Sequence, residues 1–178
     1  MNIRTANTGR IIAVLLLAAC ALGSSAAFAG SAREVSSLAG TWTLVAADVQ
    51  HPDGSRTSDY GAKPKGLLLI DNQGHYSLQL YKAERPIFHA DAKAKGTPDE
   101  YKAAVMGSST HYGTLRVEPD RGEPDHGVLV FRIQGASFPN WEGQEQRRQY
   151  ILDNGVLSYR VTARPNGDVP ISVWRRTE

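Results

Sequence analysis

Two arginines, Arg147 and Arg148, stand just beyond a connection that reads Phe138-Pro139-Asn140-Trp141. Large aromatic rings in a connecting segment either fold over a pocket or patch one end of a core, because water would otherwise favour polar residues there. Rings followed by a guanidinium combine apolar area with a cationic hook, a pairing that suits a ligand ending in a carboxylate or enolate. Arg147, where the chain re-enters a strand, is assigned the hook, and Phe138 and Trp141 the apolar cover. Tyr76, Leu78 and Leu80 share one face of a strand, as do Leu129, Phe131 and Ile133. Those faces read as core, with some of their residues lining any cavity. The candidate ligand-binding set is therefore Tyr76, Leu78, Phe131, Phe138, Trp141 and Arg147.

Other chemistry is sparse. The chain has one cysteine, Cys20, and no Gly-x-Ser-x-Gly elbow, phosphate-binding glycine loop or paired His/Cys spacing for zinc. The histidines, His51, His75, His89, His111 and His126, are scattered over turns and strand starts and read most simply as solvated loop residues. No catalytic residue, metal or cofactor is expected; a haem would require His89 or His111 as axial ligand. Trp42 reads as a structural plug rather than a ligand contact. Arg175 or Arg176 could stack on it if the last strand lies beside the first, a contact worth about 0.5–2 kcal/mol.

These residues need a scaffold, and the segments around them have strand character. Runs at 40–49, 66–70, 75–82, 113–118, 127–134, 146–153, 156–163 and 169–176 are separated by turn chemistry such as Asn72-Gln73-Gly74, Asn154-Gly155 and Asn166-Gly167-Asp168. In the first run Trp42, Leu44 and Ala46 alternate with Thr41, Thr43 and Val45. One short helix interrupts the strands. Thr97-Pro98-Asp99-Glu100 is a capping box with proline at the first helical position, and Tyr101, Ala104 and Val105 form the predicted apolar stripe up to Gly107. About eight antiparallel strands in a near-continuous meander leave two open edges unless the sheet closes, so the expectation is an all-β barrel with one helix. A two-sheet sandwich is the alternative.

The amino terminus carries a different signal. Arg4 and Arg10 precede an uncharged apolar stretch at 11–22, and small residues lead to Ala27-Phe28-Ala29: a basic start, an apolar run and an Ala-x-Ala cleavage site. The run falls short of the roughly 20 residues a membrane-spanning helix needs. Residues 1–29 are thus expected to be a signal peptide, 30–37 a linker and 38–178 the barrel, in a periplasmic or secreted protein. Leu17-Ala18-Ala19-Cys20 offers an alternative, lipidation at Cys20 and membrane anchoring. Of the 20 Lys and Arg, two lie in the signal segment, and the rest balance the 18 acids. A formally neutral mature chain argues against nucleic acid or an anionic membrane as partner. About 150 residues suit a single core.

Four blocks of the mature chain resemble the bacterial lipocalin-like domain family. Leu38-Ala39-Gly40-Thr41-Trp42-Thr43-Leu44 is similar to its opening, where lipocalins carry Gly-x-Trp. Lys65-Gly66-Leu67-Leu68-Leu69-Ile70 with Asn72-Gln73-Gly74 is similar to its second and third strands, and His111-Tyr112-Gly113-Thr114 to its central Tyr-Gly-Thr segment, with His111 where an aromatic residue is expected. Pro139-Asn140-Trp141-Glu142-Gly143, running on to Arg147-Arg148, resembles its most distinctive motif. The resemblance implies a calycin-like barrel and brings no ligand or catalytic residue with it.

The leading functional expectation is an exported barrel that binds a small hydrophobic molecule, with an anionic group as an option. An enzyme on the same scaffold, a cyclase, isomerase or hydratase of an apolar substrate, is the alternative, and a cavity holding a buried histidine or carboxylate of perturbed pKa would favour it. A filled barrel would instead favour a protein-interaction module.

Overall fold

The computed structural model describes residues 35–177 apart from Arg121 and Pro124. The expected signal peptide and Cys20 lie outside the described residues. Strand-forming runs and tight turns produce β1 (Gly40–Gln50), β2 (Arg56–Thr57), β3 (Lys65–Ile70), β4 (His75–Tyr81), α1 (Pro98–Met106), β5 (Ser108–Pro119), β6 (His126–Ala136), β7 (Glu145–Asp153), β8 (Val156–Arg160) and β9 (Val169–Arg176). The turns follow from their residues. Between β3 and β4 the Asp71 carboxylate accepts from the backbone N–H of Gln73 at 2.9 Å and of His75 at 2.8 Å. Between β7 and β8, Asn154 and Gly155 have φ of 48° and 75°, the paired positive values of a two-residue hairpin turn.

All pairings are antiparallel, in the order β1-β3-β4-β5-β6-β7-β8-β9, and β9 returns to β1. Eight strands therefore close into a barrel; the two-residue β2 only extends one end of β1. The sandwich alternative is excluded by this closure. β5 is longer than predicted at both ends, and β8 is shorter, stopping at Arg160.

Inward-facing residues make one core that includes Trp42, Leu68, Leu78, Leu129, Phe131 and Trp174. The predicted alternation in β1 holds through Leu44 and then changes phase. Leu44 pairs with Trp174 but Ala46 with Val173, so Val45 is an unpaired bulge residue and Ala47, not Ala46, is buried.

One end of the barrel is sealed. Trp42 is fully buried and its indole N–H donates to the Leu38 carbonyl at 2.9 Å. The Arg176 guanidinium lies 4.2 Å from the centre of that ring and donates to the Ala39 and Ser37 carbonyls. Arg175, by contrast, is exposed. Gly40 has φ 137°, a conformation that strains any other residue, and a Cβ there would also have to displace the Arg176 guanidinium, which it would meet at 2.9 Å. Residues 35–38 are helical, and Val35 and Leu38 enter the core. The expected linker thus ends inside the sealed end rather than outside the domain.

The capping box of α1 forms as expected, with Thr97 and Glu100 exchanging bonds. Its apolar stripe does not enter the core: Val105 is 59% exposed, and Tyr101 is exposed too. Glu100 is the buried residue of the helix. Its carboxylate accepts from the backbone N–H and the ring Nδ1 of His89, both at 2.7 Å, and from the Thr97 N–H. Satisfying that buried carboxylate turns the helix so that Glu100, not the stripe, faces the protein. Tyr101 packs edge-on against Phe88 and donates to the Lys93 carbonyl at 2.8 Å. The long 82–97 connection is therefore tied to the helix rather than free of it.

Candidate functional site

Away from the Trp42 seal, the barrel opens on a cavity of about 570 Å³. It lies among the ends of β1 and β4, the starts of β5, β7 and β9, and β8 with the segment that follows it. Leu78, Leu80, Tyr159, Val161 and Ile171 supply apolar wall, and Trp141 stands at its edge. Trp141 is held there by a short 3-10 turn, Pro139–Trp141, in which its backbone N–H donates to the Phe138 carbonyl at 3.0 Å. Its ring meets Phe138 edge-on at 5.5 Å and His111 edge-on at 6.1 Å.

A buried polar chain crosses this wall. Arg148 Nη2 lies 3.0 Å from His111 Nε2, and His111 Nδ1 lies 2.8 Å from the Tyr76 hydroxyl. A guanidinium has no acceptor, so His111 Nε2 must present its lone pair to Arg148. The ring proton is then on Nδ1 and is donated to the Tyr76 oxygen. Burial, followed by the charge of Arg148, lowers the His111 pKa to about 3, so the imidazole is neutral in ordinary buffers. Burial also pushes the Tyr76 phenol upward, with the charges nearby secondary.

Arg148 is 6% exposed, and its remaining contacts fix it in place. Nη2 also donates to Gln146 at 2.8 Å, and the guanidinium lies over Phe131 at 4.4 Å and over Tyr159 at 4.9 Å. Two buried donors around it have no hydrogen-bond partner, Arg148 Nε and the Tyr159 hydroxyl. A third such atom is the Trp174 indole nitrogen.

The sequence-predicted residues separate into three groups. Leu78, Trp141 and Arg147 border the cavity, whereas Tyr76 and Phe131 lie behind its wall in the core and Phe138 is half-exposed outside it. Tyr76 reaches the cavity only through His111. Arg147 lines the cavity but carries a partner of its own. Along β7, Gln146, Arg148 and Tyr150 turn inward while Arg147 turns outward, where its guanidinium is paired with Glu118 at 3.1 Å and is about half-exposed. That pairing holds the Glu118 carboxyl down at about 2 and raises the Arg147 guanidinium further. The inward cation is Arg148, one position along.

His111, expected from the sequence to be a solvated loop histidine, is instead 3% exposed on β5, at the position where the resemblance expects an aromatic residue. The signal that places it was present: His111, Gly113, Leu115 and Val117 alternate on one strand face, and the last two are plainly core residues. Neither histidine named for haem suits that role. His89 has a 94% exposed side chain bonded to Glu100, and both His111 nitrogens are engaged. Among the described residues no cluster of His, Cys, Asp and Glu could hold a metal ion.

Comparison with curated proteins and with solved structures gives no match. The profile of one protein family, described as a lipocalin-like domain, matches residues 39–177, which is nearly the whole described chain.

Proposed function

The chain belongs to the lipocalin-like domain family, and from that premise we propose that it binds a small, mostly apolar molecule in the cavity at the open end of its barrel. The observation that carries this reading is a cavity of about 570 Å³ whose surface is more apolar than polar, with His111, Gln146 and Arg148 among the polar groups that line it. Binding sites for small molecules have that size and composition, roughly 300–1,000 Å³. The sealed end supports the same reading, because a barrel plugged by Trp42 leaves one way in.

Native mass spectrometry of protein purified from its own source tests the proposal, with titration of 1-decanol followed by Trp141 fluorescence as the second arm. A retained molecule, or a saturable change with decanol, is expected. Absence of both would remove the proposal.

One observation favours an enzyme on the same scaffold: His111 lines the cavity with a strongly lowered pKa and touches Tyr76. Its lone pair, however, is occupied by Arg148, so the imidazole has no free acceptor with which to take a substrate proton. Binding is the reading that uses the groups as they stand. We also propose export, supported by the basic start, apolar run and Ala-x-Ala site of residues 1–29. Intact mass should show a chain beginning near Gly30; a diacylglyceryl adduct at Cys20 would replace that reading with a lipoprotein.

A further inference from the structure

Arg148 is the buried cation among the described residues, and no described carboxylate pairs with it. The acids that share its cavity are engaged elsewhere. Glu145 faces Arg116 at 3.2 Å and Arg147 at 3.8 Å, Asp59 pairs with Arg164 at 3.2 Å, and Asp48 accepts from Ser58 at 3.1 Å. A buried charge is costly unless it is paired, and a buried donor without an acceptor adds to that cost. Here both occur on one wall: the Arg148 charge with its free Nε–H, and the free Tyr159 hydroxyl on a side chain only 1% exposed. The remaining contacts of Arg148 are a neutral imidazole and the Gln146 side-chain oxygen, neither of which neutralises it.

These groups are held rather than loose. His111 and Gln146 are positioning residues, since both grip Nη2, and the guanidinium also lies over the Phe131 and Tyr159 rings, which meet each other edge-on at 6.2 Å. Leu78, Leu80, Val161 and Ile171 give the cavity its apolar surface, beside polar lining residues that include Asp59, Thr162, Arg164 and Ser172.

We infer that the cavity selects amphiphiles bearing a single carboxylate, which accepts from Arg148 and Tyr159 while the apolar tail lies along Leu78, Leu80, Val161 and Ile171. The carboxylate supplies the missing counter-charge, and a small shift of the Arg148 and Tyr159 side chains, whose Nε and hydroxyl lie just beneath the cavity surface, brings them the missing acceptor. This inference rests on the binding function proposed above and names the chemistry of the ligand at that same site.

Calorimetric titration of the mature protein with decanoate and with 1-decanol at pH 7.5 tests it, because the two probes share a chain and differ in the head. Wild type is expected to bind decanoate more tightly than decanol. Arg148→Met, which replaces a buried charge by apolar volume, should weaken decanoate by about 10- to 100-fold and leave decanol within about threefold. Tyr159→Phe should weaken decanoate by a smaller factor, about three- to tenfold, again sparing decanol. Arg175→Met, on the exposed face near the sealed end and away from the cavity lining, should change neither titration. If wild type binds decanol as tightly as decanoate, or if Arg148→Met weakens both equally, the carboxylate inference falls while the binding reading stands. If wild type binds neither probe, the carboxylate inference falls, and the binding reading falls with it when the native mass spectrum also shows no retained molecule. Should Arg148→Met fail to fold, the Tyr159→Phe titrations decide by the same criterion.

Discussion

Arg148 Nη2 lies 3.0 Å from His111 Nε2, so a permanent cation inside the barrel faces an imidazole that can be protonated only against it. The pair makes stability depend on pH with a definite sign. The folded pKa of His111 is depressed to about 3 from an ordinary value of 6.5, so the unfolded chain takes up this proton first as pH falls. The contribution is fully present above pH 6.5 and is lost progressively as pH falls toward 3.

At about 1.4 kcal/mol per pH unit, wild type should lose roughly 2 kcal/mol between pH 7 and pH 5 on this account. Urea unfolding at the two pH values measures it. His111→Gln should lose distinctly less over the same interval, though starting from a lower stability. Equal losses in the two proteins would remove His111 as the cause.

The sealed end gives a second prediction. Trp42 is fully buried, so Trp42→Ala leaves a void and should destabilise by about 3–5 kcal/mol. Arg176→Ala removes the cation from the ring and two bonds to backbone carbonyls, and a loss of about 1–2 kcal/mol is expected. Arg175→Ala, on the exposed neighbour, should leave the unfolding midpoint unchanged. A reversed order for the two arginines would mean that the seal is built differently.

Trp141 should report on the cavity. Of the three tryptophans, Trp42 and Trp174 are fully buried and Trp141 is half-buried, so acrylamide should quench mainly Trp141. A bound decanoate or decanol should protect it. Trp141→Ala should weaken both probes by a similar factor, about tenfold, because it removes apolar cover without touching the anion contacts. Protection that persists in Trp141→Phe would show that another tryptophan is the reporter.

Glu100 ties α1 to the 82–97 connection, and its carboxyl is held down to about 2, first by the Thr97 N–H and then by His89. Glu100→Ala should therefore raise amide exchange at His89 and Thr97 and speed proteolysis within 82–97. The barrel strands should keep wild-type protection, since the helix lies outside the core. Loss of protection in β4 or β5 would show that the helix supports the barrel after all.

Much of the barrel was legible in the chain because period-two runs broken by Asn-Gly and Asp-Asn-Gln-Gly turns admit few other readings. The bulge at Val45 was not, since Val45, Ala46 and Ala47 are all apolar and only pairing with β9 decides which one turns inward. The site depended on the same kind of one-residue decision. Arg147 and Arg148 are identical in type, and what separates them is the parity shared by Arg148 with Tyr150 and the reach of Arg147 across β6 to Glu118 on the same outer face. Glu118 lies 29 positions away in sequence, so no local pattern could report that contact. The stripe of α1 misled for a related reason: one buried carboxylate with three donors outweighed three apolar residues.

Closure of β1 on β9 also sets an order of events for the newborn chain. Thr43 and Thr177, whose hydroxyls meet at 2.9 Å, are separated by 134 positions, so the earliest barrel strand waits for the last to be synthesised before either has its full set of neighbours. Hairpins from β3 to β8 can form meanwhile, but the seam must be closed at the entropic cost of a loop spanning nearly the whole domain. Such topologies fold on the order of milliseconds to seconds rather than microseconds. During that interval β1 presents an unpaired edge, and a chaperone would meet the protein in that open form.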